Sequence, residues 1–241
     1  MRKVLSCVVF ICVLAVGFVV AQVRIAPKKV IYRRPKPISQ YKKSFTIIWP
    51  KVTGRSASVA RKIENALNYE KLFDFTIKEE QTDMQWLEEA SYEVLFNKHN
   101  ILCVGLSIQG TAAYPSGSDR YVVLDSRNGS VAGPSSVFID SEKLAELVNK
   151  RMQKAIAEEV ARWKTDPDLK DLDEKELLGV KVFQEANLDN FSLNTEGVTF
   201  RYEFGFPHAI LGAEPDSEFL FTWAEMKPFI NPRGLLAVLV R

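Results

Sequence analysis

The sequence is poor in the side chains that most often build catalytic and metal centres. Its 241 residues include two histidines, His99 and His208, which lie in separate segments, and three cysteines. No helical histidine pair is present, so a conventional zinc site is not expected. Nucleophile-elbow, Walker and dinucleotide-binding glycine motifs are also missing. The sequence therefore predicts no cofactor and no metal, and it favours a protein that is not an enzyme.

The one long hydrophobic run is confined to the N-terminus. Arg2 and Lys3 precede an apolar run over residues 4–21, and Val19 and Ala21 stand at positions −3 and −1 of a cut before Gln22. This pattern predicts a signal peptide over residues 1–21, cleaved between Ala21 and Gln22. The alternative is an uncleaved anchor, because a run of this length just spans a bilayer of about 30 Å. We expect a secreted or periplasmic protein of the cell envelope.

Cysteine is scarcer still in the mature chain. Removal of the signal peptide takes away Cys7 and Cys12 and leaves Cys103 alone. A single cysteine excludes an internal disulfide and a cysteine-based zinc site. Because Cys103 lies in the apolar run ILCVGLSI, we expect it to be a small buried hydrophobic residue.

Acidic residues are absent from the segment that follows the signal peptide. Residues 22–43 contain eight Lys or Arg and three Pro, which predicts an extended basic linker. Contact with a membrane is expected only through an uncleaved signal segment or through this linker. The remainder, residues 44–241, carries a net charge of −8, which argues against binding to nucleic acid.

Residues 44–241 are predicted to form an α+β domain. The alternative is a division of this domain into two subdomains, residues 44–134 and 135–241. Apolar residues at helical spacing predict a shorter amphipathic helix at about 56–73 and a long one at about 140–164. Short strands joined by turn sequences, such as SYEVLF and ILCVGLSIQG around residues 97–100, predict antiparallel sheets on which the helices pack. The tail GLLAVLV is predicted to be a last strand.

Two loops contain the candidate binding residues. Tyr114 and Pro115 lie in GTAAYPSGSD, and Phe206, Pro207 and His208 lie in GFPHAILGAEPDSEF. Loop aromatics can anchor a partner because they bring a large area at low entropic cost, but they can equally fold back onto their own domain. For Phe206 the sequence favours packing. If the two loops form one site, residues 110–119 and 205–217 must meet on one face.

The order of these motifs resembles a known family. The run SYEVLFNKHNILCVGLSIQGTAAYPSGSD, the long helix and then FSLNTEGVTFRYEFGFPHAILGAEPDSEF resemble the RsiV-like extracytoplasmic domain of anti-sigma factors. That domain is also fused to PdaC-type polysaccharide deacetylases. The resemblance implies an α+β fold, an envelope location and binding without catalysis, with a cell-wall glycan or a lysozyme-like protein as the partner. His208 stands where relatives often carry tyrosine, and residues 110–115 differ from the family's usual loop.

Three functions are therefore carried forward. The leading one is an exported, non-catalytic binding module whose ligand is a cell-wall component or a wall-active protein. The first alternative is an envelope hydrolase that uses His208 with a nearby carboxylate, Glu214, Asp216 or Glu218, as general acid and base. The second is a structural protein that oligomerises through its long helix or its C-terminal strand.

Overall fold

The architecture was obtained from a computed structural model, which describes residues 22–38, 40–112 and 114–241. The predicted signal peptide over residues 1–21, including Ala21 of its cleavage site, lies outside the described residues. Within the described ranges no helix combines the length and the apolar character needed to cross a bilayer.

A six-stranded sheet forms the centre of the molecule. Its strands follow one another in chain order, and all neighbours are antiparallel except the second and third, which are parallel. The strands are β1 (Arg24–Arg33), β2 (Ser44–Thr53), β3 (Leu87–Lys98), β4 (Ile101–Thr111), β5 (Pro115–Asp125) and β6 (Ser130–Val131).

Strand β1 corrects the prediction of a linker over residues 22–43. It pairs with β2 over its whole length, from Arg24–Thr53 to Arg33–Ser44. Pro27 is tolerated because an edge strand leaves every second N–H outside the ladder. Val23, directly before the strand, is buried, and Tyr32 stacks on Phe45 with ring centroids 5.2 Å apart. The segment therefore belongs to the domain.

Arg34 shows why a basic segment can still fold. Its buried guanidinium donates hydrogen bonds to the backbone carbonyls of Glu80 at 3.0 Å, Lys42 at 2.6 Å and Leu87 at 2.6 Å. The Glu80 carboxylate lies 3.7 Å from the same group. A buried charge is stable when it is paired and its donors are satisfied in this way, so Arg34 ties the end of β1 to the start of β3.

Three short helices connect the parallel strands β2 and β3. They are α1 (Ala57–Ala66), α2 (Tyr69–Leu72) and α3 (Ile77–Thr82). The helix predicted at about 56–73 is thus two helices. The break occurs because Asn68 caps the N-terminus of α2. Its side chain accepts a hydrogen bond from the N–H of Lys71 at 3.2 Å.

A second layer packs on the other face of the six-stranded sheet. It contains the long helix and a three-stranded antiparallel sheet in the order β7-β8-β9. Its elements are α4 (Pro134–Val137), α5 (Ser141–Thr165), α6 (Glu174–Leu177), β7 (Phe191–Leu193), β8 (Gly197–Arg201), β9 (Glu218–Thr222) and α7 (Trp223–Met226). Four 3-10 helices accompany them: Glu185–Asp189, His208–Ala213, Lys227–Phe229 and Leu235–Leu239.

Strand β4 separates two hydrophobic cores through its alternating side chains. Leu102, Val104 and Leu106 face the core under α1–α3, whereas Ile101 and Cys103 face the core of the second layer. Cys103 is fully buried, and its Sγ accepts a hydrogen bond from the N–H of Leu193 at 3.3 Å. Burial raises the pKa of this thiol to about 12, which agrees with the predicted inert, hydrophobic role.

The predicted α+β class is confirmed, and so is the long helix. Helix α5 spans Ser141–Thr165 and ends directly before Asp166-Pro167. Asp140 precedes it, but its side chain makes no capping hydrogen bond. The prediction of a C-terminal strand is wrong. Residues Leu235–Leu239 form a 3-10 helix that buries Leu236 and Ala237, because a short apolar run suits a buried helical turn as well as a strand.

Candidate binding site

The first predicted loop is shorter than the sequence suggested. Antiparallel pairing of β4 with β5 continues up to Thr111 and Pro115, so most of GTAAYPSGSD is strand. Tyr114 lies at the tip of this long hairpin with 63% of its surface exposed, and Pro115 is exposed beside it. The hairpin thus carries an aromatic ring to the edge of the molecule.

The second loop meets this tip through His208. The imidazole of His208 stacks on the Tyr114 ring, with centroids 5.1 Å apart and planes inclined by 18°. Its Nε2 lies 2.6 Å from the backbone carbonyl oxygen of Pro115. Because a carbonyl only accepts, Nε2 must carry the proton. The structure therefore brings together two residues, Tyr114 and His208, that are 94 positions apart in the sequence.

Phe206 and Pro207 have different surroundings. Phe206 is buried and packs against Trp163 of α5, with ring centroids 6.0 Å apart, as the sequence favoured. Pro207 is exposed directly before the 3-10 helix His208–Ala213. Phe206 therefore holds the loop in place, and Pro207 lies with His208 on the surface.

The end of helix α5 fixes the rest of this loop. The indole N–H of Trp163 donates a hydrogen bond to the Ala213 carbonyl at 3.1 Å, and Arg162 donates to the Gly212 carbonyl at 2.6 Å. Backbone carbonyls held by side-chain donors on a rigid helix give a loop a defined shape. His208 is therefore positioned by the protein even though its ring is exposed.

A polar cleft of about 390 Å³ lies between β5 and the second sheet, along the same two segments. Arg201 is its central group. The guanidinium donates to Glu218 Oε1 at 2.8 Å and to Ser192 Oγ at 2.9 Å, and it lies 3.6 Å from the centroid of the Tyr121 ring. The cleft is lined by Gly117, Ser118, Asp119, Tyr121, Asn190, Arg201, Tyr202, Glu203, Glu214, Ser217 and Glu218.

Negative charge predominates in this cleft. Asp119, Glu203, Glu214 and Glu218 line it together with Arg201, and Glu203 also lies 3.6 Å from Arg120. Burial raises the pKa of Glu214, the backbone N–H of Phe204 opposes the shift, and the neighbouring charge of Glu203 adds to it. No group of three or more His, Cys, Asp or Glu that could hold a metal ion occurs in the part of the chain that the structure describes. The cleft is built to form hydrogen bonds and to attract positive charge.

Sequence reasoning identified the two loops but missed Arg201 and Tyr121. Arg201 lies in the strand sequence VTFRYEF, and an arginine at the end of a strand is expected to be exposed to solvent. Tyr121 lies in RYVVLD, where an aromatic reads as core. Their contact joins β5 to β8, and no local pattern shows which strands of two different sheets lie side by side.

Comparison with known proteins identifies the fold. No family sequence model matches the chain, and no curated protein matches it in sequence. The fold is similar to that of a DUF3298 family member from Bacteroides fragilis, with a TM-score of 0.58 and 11% identity, over 91% of this chain and 97% of that chain. A DUF3298 family protein from Pseudomonas aeruginosa aligns with a TM-score of 0.47 and 11% identity, over 88% and 95% of the two chains. At such identity the likeness concerns the fold alone.

Proposed function

We propose that this protein is an exported, non-catalytic binding module of the bacterial envelope. Its contact surface consists of Tyr114, Pro115, Pro207 and His208, which we name the aromatic tip. The observation that carries the proposal is the exposed stacking of Tyr114 on His208 at the meeting point of two distant loops. An exposed aromatic pair that the fold holds in one geometry is suited to recognition, because little side-chain entropy remains to be lost on binding.

Two further observations support the envelope assignment. The apolar run at residues 4–21 with its cleavage pattern predicts export. The order of the motifs resembles the RsiV-like and PdaC-associated domains, and this resemblance implies an envelope location. Both observations support the proposal that the protein is an extracytoplasmic domain of this kind.

The charge of the adjoining cleft narrows the range of ligands that would bind there. Four carboxylates and one guanidinium line it next to the aromatic tip, so positive groups on a ligand would be attracted. Both proposed partner classes can supply them, as a basic wall-active protein of the lysozyme type or as a cell-wall glycan with amino groups. Neither requires a reaction at the site.

His208 is less suited to the hydrolase alternative. Its Nε2 proton is engaged by the Pro115 carbonyl, which leaves only Nδ1 for proton transfer. The surfaces required by the oligomer alternative are not free either, because the predicted C-terminal strand is a 3-10 helix. The apolar stripe of α5 is buried in the protein's own core, including Leu144, Val148 and Met152.

Binding measurements with the chain from Gln22 onward test the proposal. Soluble peptidoglycan fragments and a lysozyme are titrated against the protein by calorimetry. Tyr114→Ala and His208→Ala should each weaken binding about tenfold or more, as expected for residues at the centre of an interface. Ile31→Ala removes an equally exposed apolar side chain on β1, 60% exposed, and should leave the affinity unchanged. If neither probe binds the unaltered protein, this assignment of function is wrong.

A further inference from the structure

A second surface lies at the other end of the β4–β5 hairpin, around the turn that joins β3 to β4. Two clefts of about 620 Å³ and 320 Å³ adjoin there and share His99 and Asn100. His99 and Asn100 both have positive φ, 53° and 62°, which is the geometry of a two-residue hairpin turn. The turn places both side chains at the lip of both clefts.

Positive charge predominates among the residues that line these clefts. They include Arg55, Lys98, Arg127, Arg233 and Arg241, which we name the basic end. Among the described residues, Asp125 is the one acidic side chain that lines either cleft.

Asp125 does not neutralise the basic end as a whole. It is already bound by Arg127, whose Nε lies 2.9 and 3.0 Å from its two oxygens and whose Nη2 lies 2.6 Å from Oδ2. Burial opposes ionisation, but the hydrogen bonds and charge of Arg127, with the charge of Arg55, hold the pKa of Asp125 below its usual value. The Asp125 carboxylate is thus hydrogen-bonded to Arg127 and also lies in the field of Arg55, while no other acidic side chain lines the clefts beside Lys98 and Arg233.

Arg55 has hydrogen-bonding capacity to spare. Its Nη2 donates to Asn100 Oδ1 at 2.9 Å and to Ser126 Oγ at 3.3 Å. Its Nε is the one buried side-chain nitrogen or oxygen without a hydrogen-bond partner in the described ranges. Buried donors are almost always satisfied in folded proteins, and Arg55, which lines the smaller cleft, is the exception.

The chain enters the domain at this end. Gln22 lines the smaller cleft, and the Asn97 side chain donates to the Val23 carbonyl at 2.9 Å. Gln22 directly follows the apolar run of residues 4–21. The aromatic tip lies at the far end of β4, whose eleven residues extend about 35 Å. The basic end therefore lies beside Gln22, the first described residue, and away from the proposed recognition surface.

We propose that the basic end binds the phosphate groups of anionic phospholipids, so that the domain rests on the membrane with the aromatic tip directed outward. Arginine matches phosphate because its planar fork donates two parallel hydrogen bonds, and each basic side chain near an anionic bilayer strengthens binding severalfold. This membrane contact differs from the one expected of a basic linker, since the cations involved belong to separate segments of the folded domain.

Sedimentation with lipid vesicles tests the proposal on the chain from Gln22 onward. The vesicles contain either phosphatidylcholine alone or phosphatidylcholine and phosphatidylglycerol in equal parts. The protein should sediment only with the anionic vesicles, and added salt should release it. Lys98→Gln combined with Arg233→Gln should weaken binding roughly thirtyfold, which is about fivefold for each lost charge. Both side chains are exposed, so the fold should persist.

Controls separate the outcomes. Lys150→Gln combined with Lys170→Gln removes the same charge from exposed positions outside both clefts and should leave vesicle binding unchanged. Equal losses in the two double variants, or no vesicle binding by the unaltered protein, would overturn the proposal. So would calorimetric binding of inorganic phosphate without vesicle binding, which would assign the clefts to a free phosphate compound. Because the aromatic tip is untouched, its ligand binding should survive in both double variants.

Discussion

Arg201 joins the two sheets, and its replacement by methionine should destabilise the protein more than a surface change would. Its side chain is 15% exposed. It contacts Tyr121 on β5, Glu218 on β9 and the buried Ser192 on β7. Methionine keeps much of the aliphatic length but removes the guanidinium, so Arg201→Met isolates the polar contacts.

The contacts give the expected magnitude. A guanidinium 3.6 Å from the centroid of a half-buried ring contributes about 1–2 kcal/mol. A hydrogen bond from a charged donor contributes about 1.5–3 kcal/mol when it is buried, whereas the bond to the exposed Glu218 carboxylate adds little. We expect Arg201→Met to lower the free energy of unfolding by about 2.5–5 kcal/mol.

Arg151 supplies a matched comparison. Its guanidinium also lies over a ring, 3.8 Å from the centroid of Phe221, pairs with Glu225 at 2.8 Å and donates a hydrogen bond to the Leu220 carbonyl, but its side chain is 38% exposed. Because solvent screens these contacts, Arg151→Met should cost only about 1–2 kcal/mol. Urea unfolding followed by tryptophan fluorescence and by circular dichroism measures both variants, and coincident curves confirm that unfolding is two-state.

A double-mutant cycle tests the aromatic contact itself. Tyr121→Leu is combined with Arg201→Met, and the coupling energy between the two positions should be about 1 kcal/mol. A loss at Arg201 no larger than that at Arg151, or a coupling energy near zero, would show that this arginine does not hold the sheets together.

Two further predictions concern Gly197 and Cys103. A Cβ at Gly197 would lie 1.9 Å from the Phe221 carbonyl oxygen, whereas one at Gly212 would meet nothing within 4 Å. Gly197→Ala should therefore lower the midpoint of thermal unfolding by several degrees or prevent folding, and Gly212→Ala should leave it nearly unchanged. Cys103, with its pKa raised to about 12, should react with iodoacetamide at about pH 8 on the order of a thousandfold more slowly than it does in urea. Equal rates in the two conditions would contradict its burial.

Sequence patterns predicted the helices and turns that are determined by residues close together in the chain. Helix α5 was found because its apolar residues recur at helical spacing over 25 residues, far longer than any strand. The turn predicted around residues 97–100 forms because its residue types favour left-handed backbone, and His99 and Asn100 indeed have positive φ. Chemistry within a few residues decides such features.

Elements whose cause is distant were missed. Strand β1 contains Pro27 and four basic residues, and it forms because β2 offers ten pairing partners and an edge where proline is tolerated. The tail was misassigned for a similar reason, since the space available beside α4 decided the shape of residues 235–239. The contact of Tyr114 with His208 also depends on residues that are distant in the sequence. The sequence named both residues, but only the packing of one sheet on the other brings them together.

The register of the β4–β5 hairpin links the core to both proposed surfaces. It pairs Ile101 with Asp125 at one end and Thr111 with Pro115 at the other, without a shift between them. Because side chains alternate along a strand, burial of Cys103 and Val123 in the second core requires Asp119 and Tyr121 to face the second layer too. A slip of one residue would turn them away from Arg201 and would move Pro115 out of reach of His208. The position of the aromatic tip is therefore set by apolar packing about 25 Å away, and substitutions that loosen this core should weaken recognition without touching the surface.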